Sequence, residues 1–251
     1  MTDALPLTEF DPDPVDVITS AVDHSRVRLP ERGVLTLLGD TSRAWATEHD
    51  FRQVTVVETI TMDFPVYVGE HDGVEVALLE VPLGAPAAVI VADHVFRHGV
   101  SCAVAVGSCG GLVHFEEGEF VVPTRALRDE GTSFHYQPPG RWIDLDADMV
   151  AACREAIEAG PHTAVQAPTW TTDAFFRETR GKVEARRTEG CLVVDMECAA
   201  LAACARFRGT RYGQILFTAD TLADEVHDVR DWGRASHRSA LQLALDAVVR
   251  A

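Results

Sequence analysis

Hydrophobic and polar positions fall into short blocks along this chain, and the period of the pattern changes from block to block. Residues 34–38 form an apolar run stopped by Gly39-Asp40, which predicts a strand and a turn. Residues 42–49 suit a helix. β-Branched residues fill 54–60 and predict a second strand. Two more extended runs, 66–69 and 74–81, flank His71-Asp72-Gly73. Asp-Gly accepts the positive φ of a tight turn, so these runs predict a hairpin. Residues 86–98 carry a helical apolar pattern with Pro86 at its start and Gly99 after its end, the asymmetry expected of a helix. A buried strand over 102–106 then leads into Gly107-Ser108-Cys109-Gly110-Gly111.

The second half continues the alternation. Strands are predicted at 120–122, 163–172, 192–194 and 214–218. Helices are predicted at 148–158, 175–187, 197–207 and 235–249. Such alternation predicts an α/β fold, a single domain over 31–251 whose central mixed sheet is flanked by helices. Residues 1–30 hold Pro6, Pro12, Pro14 and Pro30 among few apolar anchors, and read as an irregular N-terminal arm.

Composition narrows the partners. The chain has 251 residues, 47% of them hydrophobic, enough for one large core. Its net charge is −17, from 39 acids against 22 bases, so nucleic acids and anionic membranes are not expected partners: binding them takes clustered Lys and Arg. The six cysteines form no C-x-x-C pair and several sit in apolar runs, which predicts buried thiols and neither disulfides nor a metal site. The N-terminus lacks the basic start and apolar core of a signal peptide, and no stretch approaches the ~20 apolar residues of a membrane span. A cytoplasmic protein is expected.

Candidate chemistry gathers where apolar runs stop. Gly39-Asp40, Gly107-Ser108, Asp195-Met196-Glu197 and Ala219-Asp220 each follow a predicted strand. Open α/β sheets bind ligands beyond the carboxyl ends of their strands, so these four ends suggest one shared pocket. Two acids flanking a Met suit a ligand with neighbouring hydroxyls and an apolar ring face, such as a ribose.

In this order the motifs resemble the nucleoside phosphorylase family, which includes purine nucleoside phosphorylases, uridine phosphorylases and related nucleosidases. Gly39-Asp40-Thr41-Ser42-Arg43 resembles the family's Gly-Asp-Pro-x-Arg phosphate loop, and Gly107-Ser108-Cys109-Gly110-Gly111 its Gly-Ser/Thr-x-Gly-Gly turn. Gly118-Glu119-Phe120-Val121-Val122 resembles the Gly-Asp-Val-Val strand that follows. Val194-Asp195-Met196-Glu197 is similar to its Val-Glu-Met-Glu ribose motif, and Thr218-Ala219-Asp220 to the Val-Ser-Asp of the purine-cleaving branch.

The resemblance implies cleavage of the N-glycosidic bond of a nucleoside, a purine by preference, through an oxocarbenium-like transition state. It implies that Glu197 accepts hydrogen bonds from the ribose hydroxyls, that Met196 packs on the sugar and that Asp195 reaches the 2′ hydroxyl. Asp220 would protonate the leaving base, Trp170 would stack on it and Phe176 would close that wall. Gly39, Arg43 and Ser108 would hold phosphate or water, and His24 of a neighbouring subunit would touch the 5′ hydroxyl. A homo-oligomer, dimer or hexamer, is implied, with no cofactor beyond phosphate as a co-substrate. Other readings of the same residues stay open. Asp195 and Glu197 also suit the start of a helix, where acids are favoured. Met196 and Trp170 also suit core positions, Asp220 a turn and His24 a surface.

The chain departs from the family at the phosphate site. Where two further arginines are expected it has Thr59 or Ile60, and Ala105. Losing two guanidinium clamps removes most of the charge that holds phosphate. Hydrolysis by water, with Asp40 the nearest acid to activate it, therefore stands beside phosphorolysis. A uridine-type phosphorylase and a catalytically weak nucleoside-binding protein are the alternatives.

Overall fold

The blocks of the sequence become strands and helices sharing one continuous sheet. The computed structural model describes residues 5–18, 27–115, 119–221, 228–229 and 236–251. In chain order the elements are β1 (Arg32–Leu37), α1 (Thr41–Glu48), β2 (Arg52–Glu58), β3 (Asp63–His71), β4 (Val74–Glu80), α2 (Ala85–Arg97) and β5 (Cys102–Gly111). There follow β6 (Glu119–Asp129), β7 (Trp142–Asp144), α3 (Ala147–Glu158), β8 (Thr163–Thr172) and α4 (Arg180–Thr188). The last are β9 (Val193–Asp195), α5 (Cys198–Arg208), β10 (Arg211–Thr221), β11 (Asp228–Val229) and α6 (His237–Arg250).

From one edge the sheet runs β2, β3, β4, β1, β5. β1 lies parallel to both β4 and β5, while β3 pairs antiparallel with β2 and β4. The β3–β4 turn has Asp72 at φ 50° and Gly73 at φ 80°, the backbone predicted from Asp-Gly. Beyond β5 the sheet closes on itself. β10 runs parallel along β5, β6 pairs with β10, β8 with β6 and β9 with β8, and β9 returns to the far end of β5 at Gly110 and Gly111. Each ring strand contributes a buried residue to one small cluster: Cys109, Leu216, Val121, Ala167 and Val193.

Helices cover the rest of the sheet. α5 is buried all round, from Cys198 to Ala205, and its run of alanines lets it lie close to both α2 and the ring strands. A helix apolar on every face has to be enclosed, so this element fixes the layer between ring and α2. All six cysteines are buried thiols. Among the described residues, no helix is long and apolar enough to cross a membrane.

Besides β7 and β11, which the pattern does not mark, three elements differ from the sequence expectation. The glycine-rich stretch after residue 106 stays in β5, because β10 and β9 both offer it backbone partners. The strand predicted at 120–122 extends through Asp129, with a register shift after Pro123, which has no N–H to give to a ladder. The helix predicted over 175–187 divides into a single turn, Phe175–Arg177, and α4, whose N-cap Thr179 accepts from the Lys182 N–H.

Candidate active site at the strand ends

The Asp195-Met196-Glu197 segment joins β9 to α5, and its two acids do different jobs. Asp195 is fully enclosed. Its Oδ1 accepts from the Thr169 and Thr171 hydroxyls, both at 2.9 Å, and its Oδ2 from the N–H groups of Glu197 at 2.9 Å and Cys198 at 2.6 Å. Those four bonds fill a carboxylate's acceptor capacity. Asp195 thus caps α5 and ties it to β8, and the expected bond to a 2′ hydroxyl has no oxygen lone pair left for it. Burial pushes its carboxyl up, against the pull of these donors.

Glu197, only 4% exposed, accepts the Gly84 N–H at 2.6 Å on Oε1. Gly84 precedes α2 with φ 93°, a conformation that favours glycine. Burial, followed by the charge of Asp195, pushes the Glu197 carboxyl up to about 8. Met196 between them is half-buried.

A third acid, absent from the sequence expectation, stands at the end of β4. Glu80 Oε1 accepts from the N–H groups of Leu38 at 3.0 Å and Gly39 at 2.9 Å. Its Oε2 accepts from the hydroxyls of Thr36 at 2.5 Å and Ser42 at 3.4 Å. Parallel pairing of β1 with β4 sets Thr36 opposite Glu80 and makes the first of these contacts inevitable. Burial pushes this carboxyl up to about 7, outweighing the donors. Nothing in the local sequence marked Glu80, which matters only through partners distant along the chain.

Register places the remaining candidates. Ser108 is exposed in β5 between buried neighbours and lies beside Phe217 of β10. The backbone of Asp220 pairs with Gly110 after a bulge at the end of β10, and Gly110 pairs on its other side with Val194. Residue 220 and the start of the Asp195-Met196-Glu197 segment are therefore two strand spacings apart, about 10 Å. Gly39 has φ 61° and forms the turn into α1, where Arg43 is exposed. Asp40 is exposed beside it. His24, together with Gly118 of the third motif, lies outside the described residues.

Trp170 is corrected. It is 0% exposed and packs with Leu112, Leu127, Val183, Cys191 and Val194. Its indole N–H donates to Asp129 at 3.0 Å, and the Lys182 and Arg186 side chains lie over the ring. A side chain so enclosed by β6, β8 and α4 presents no face for a base to stack on. Phe176 is the reverse case, 93% exposed and edge-on to Phe175. Ala105 is buried between Leu35 and Gln214, and the Thr59 hydroxyl donates to the Met62 carbonyl of its own loop.

Comparison with known proteins agrees with this architecture. The family model described as the Phosphorylase superfamily matches residues 32–250. A guanosine phosphorylase from Halorubrum lacusprofundi is 27% identical over 194 residues, covering 74% of this chain and 80% of its own. Among solved structures, a uridine phosphorylase from Vibrio fischeri superposes with a TM-score of 0.73 at 21% identity, over 89% of this chain and 93% of its own. An AMP nucleosidase from Bacteroides thetaiotaomicron gives 0.71 at 20% identity, over 88% and 89%. With a family match across nearly the whole sheet and its flanking helices, the chain belongs to the phosphorylase superfamily of nucleoside phosphorylases and nucleosidases.

Proposed function

We propose that this protein cleaves the N-glycosidic bond of a purine nucleoside, with Glu197 holding the ribose and Asp220 acting at the base. The observation that carries the reading is the division between neighbouring acids. Asp195 spends its oxygens on the fold, while Glu197 keeps acceptor capacity in a buried position at the strand ends. A carboxylate with oxygens to spare suits the paired 2′ and 3′ hydroxyls of a ribose. Met196, beside it, offers an apolar surface to the sugar.

Bond cleavage leaves positive charge on the sugar and electrons on the base nitrogen. An acid at residue 220 answers the second need by protonating a purine at N7. Its backbone position across β5 from Val194 suits a group that meets the far end of the nucleoside. Asp195 then serves as a positioning residue for Glu197, and Phe176 as a wall over the base. Gly39, Arg43 and Ser108 line the side from which phosphate or water attacks, and His24 reaches the sugar of a neighbouring subunit. The large exposed side chains Ile60, Met62, Leu83 and Ile90 support a homo-oligomer, which light scattering would report as a multiple of the chain mass.

The test is a panel of purine and pyrimidine nucleosides, read as free base. Release from guanosine or adenosine ahead of uridine supports the proposal. Uridine cleavage alone would establish the pyrimidine reading. Binding without release would leave a nucleoside-binding protein.

A further inference from the structure

The turn between β1 and α1 gathers its donors around an anion that the chain itself supplies. The Leu38 and Gly39 N–H groups and the Thr36 and Ser42 hydroxyls all point at the Glu80 carboxylate. Two backbone N–H groups side by side, with Gly39 in the left-handed region, form the concave donor set that binds oxyanions. In this chain that set is already satisfied.

Among the described residues, positive charge is scarce in the same place. Of the positions where the family resemblance implies arginines, Thr59 or Ile60 lies in a loop that the Thr59 hydroxyl closes, and Ala105 is buried in the sheet. Arg43 is exposed on the first turn of α1. A phosphate dianion entering here would have to displace a carboxylate and approach it within a few ångströms, with one nearby guanidinium in compensation. Like charges at that separation repel strongly in a partly desolvated site.

We propose that Glu80 is a built-in occupant of the β1–α1 turn that excludes phosphate, so that the nucleophile of the reaction is water. The proposal rests on the nucleoside-cleaving reading above and adds to it the identity of the second substrate. The water oxygen forms a bond to C1′ as the bond from C1′ to the base nitrogen breaks. That electron pair stays on the base, which takes up one proton while the water gives one up. The products are free ribose and free base, and nothing else is consumed.

The test uses the intact chain, inorganic phosphate as probe, and two independent readouts. In the wild type, added phosphate leaves the Tm and the rate of base release unchanged, and the sugar product is free ribose. In Glu80→Ala the turn is vacated, phosphate raises the Tm by several degrees, and its affinity rises at least tenfold by calorimetry. If that variant does not fold, Glu80→Gln keeps an acceptor for the turn and removes the charge, and it too gains a Tm response. Ribose 1-phosphate formed by the wild type, or a phosphate response in the wild type equal to that of the variants, overturns the proposal. So does a folded variant with no response. A wild type that cleaves no nucleoside under either condition refutes the functional reading, while the binding arm still decides the role of Glu80.

Discussion

Asp195 and Glu197 are two residues apart, carry the same group and are both buried, yet their surroundings assign them opposite work. Removing the Asp195 carboxylate leaves two N–H groups at the start of α5 and two threonine hydroxyls without their acceptor. Asp195→Ala should cost about 3 kcal/mol of stability, since each buried donor left unpaired is expensive, and urea unfolding would measure it. Glu197→Gln leaves one oxygen for the Gly84 N–H, so its stability should stay near that of the wild type. Its kcat/KM for a nucleoside should fall roughly a hundredfold, because an amide nitrogen cannot accept from a ribose hydroxyl. Equal losses of stability in the two variants would refute this division. The pattern Asp-Met-Glu was legible as a candidate site from sequence. Which acid keeps oxygens to spare was not, because that depends on Thr169 and Thr171, which reach Asp195 from another strand.

At the scale of elements, local pattern predicted most strands and helices, and the exceptions have a common cause. β5 and β6 outrun their apolar runs because neighbouring strands supply hydrogen bonds that hydropathy does not encode. Trp170 shows a similar cause: its sequence position suits either a core or a wall, and packing by Val183 of α4 makes it core. Contacts between elements also include a partly buried charge cluster. Asp93 of α2 accepts from Arg208 of α5 at 2.5 Å and from Arg97 at 3.2 Å, and Tyr136 donates to it at 3.2 Å. Burial pushes the Asp93 carboxyl up, but the two guanidiniums outweigh it and hold it below the usual range. Arg208→Ala would leave that carboxylate half-compensated between the helices. A loss of roughly 2–3 kcal/mol is expected in chemical denaturation, and a neutral result would show that the cluster does not clamp α2 to α5.

For the whole molecule, the acids at the strand ends set a pH dependence. Burial lifts Glu80 to about 7 and Glu197 to about 8, so both bind protons in the folded state that they release when unfolded. Between the ordinary glutamate value, about 4.3, and these raised values the folded chain holds more protons than the unfolded one. Stability is therefore greatest near the acid end of this window and declines as pH rises through 7 and 8. Melting temperature measured from pH 5 to 9 should fall along that range, and Glu80→Gln and Glu197→Gln should each flatten the decline. A melting temperature that rises across the window would contradict the assignment of both groups. An overall charge of −17 argues from sequence against nucleic acid as a partner, but it could not reveal that one of those acids sits within the turn where an oxyanion would bind.

The account depends most on the pairing of a sugar-holding carboxylate with an acid at the base, and Asp220→Asn tests it most directly. Free-base release from guanosine or adenosine should drop by roughly a hundredfold or more, the usual contribution of a general acid, while nucleoside affinity in the same preparation stays within a few-fold of the wild type. Undiminished release by the variant would contradict the account.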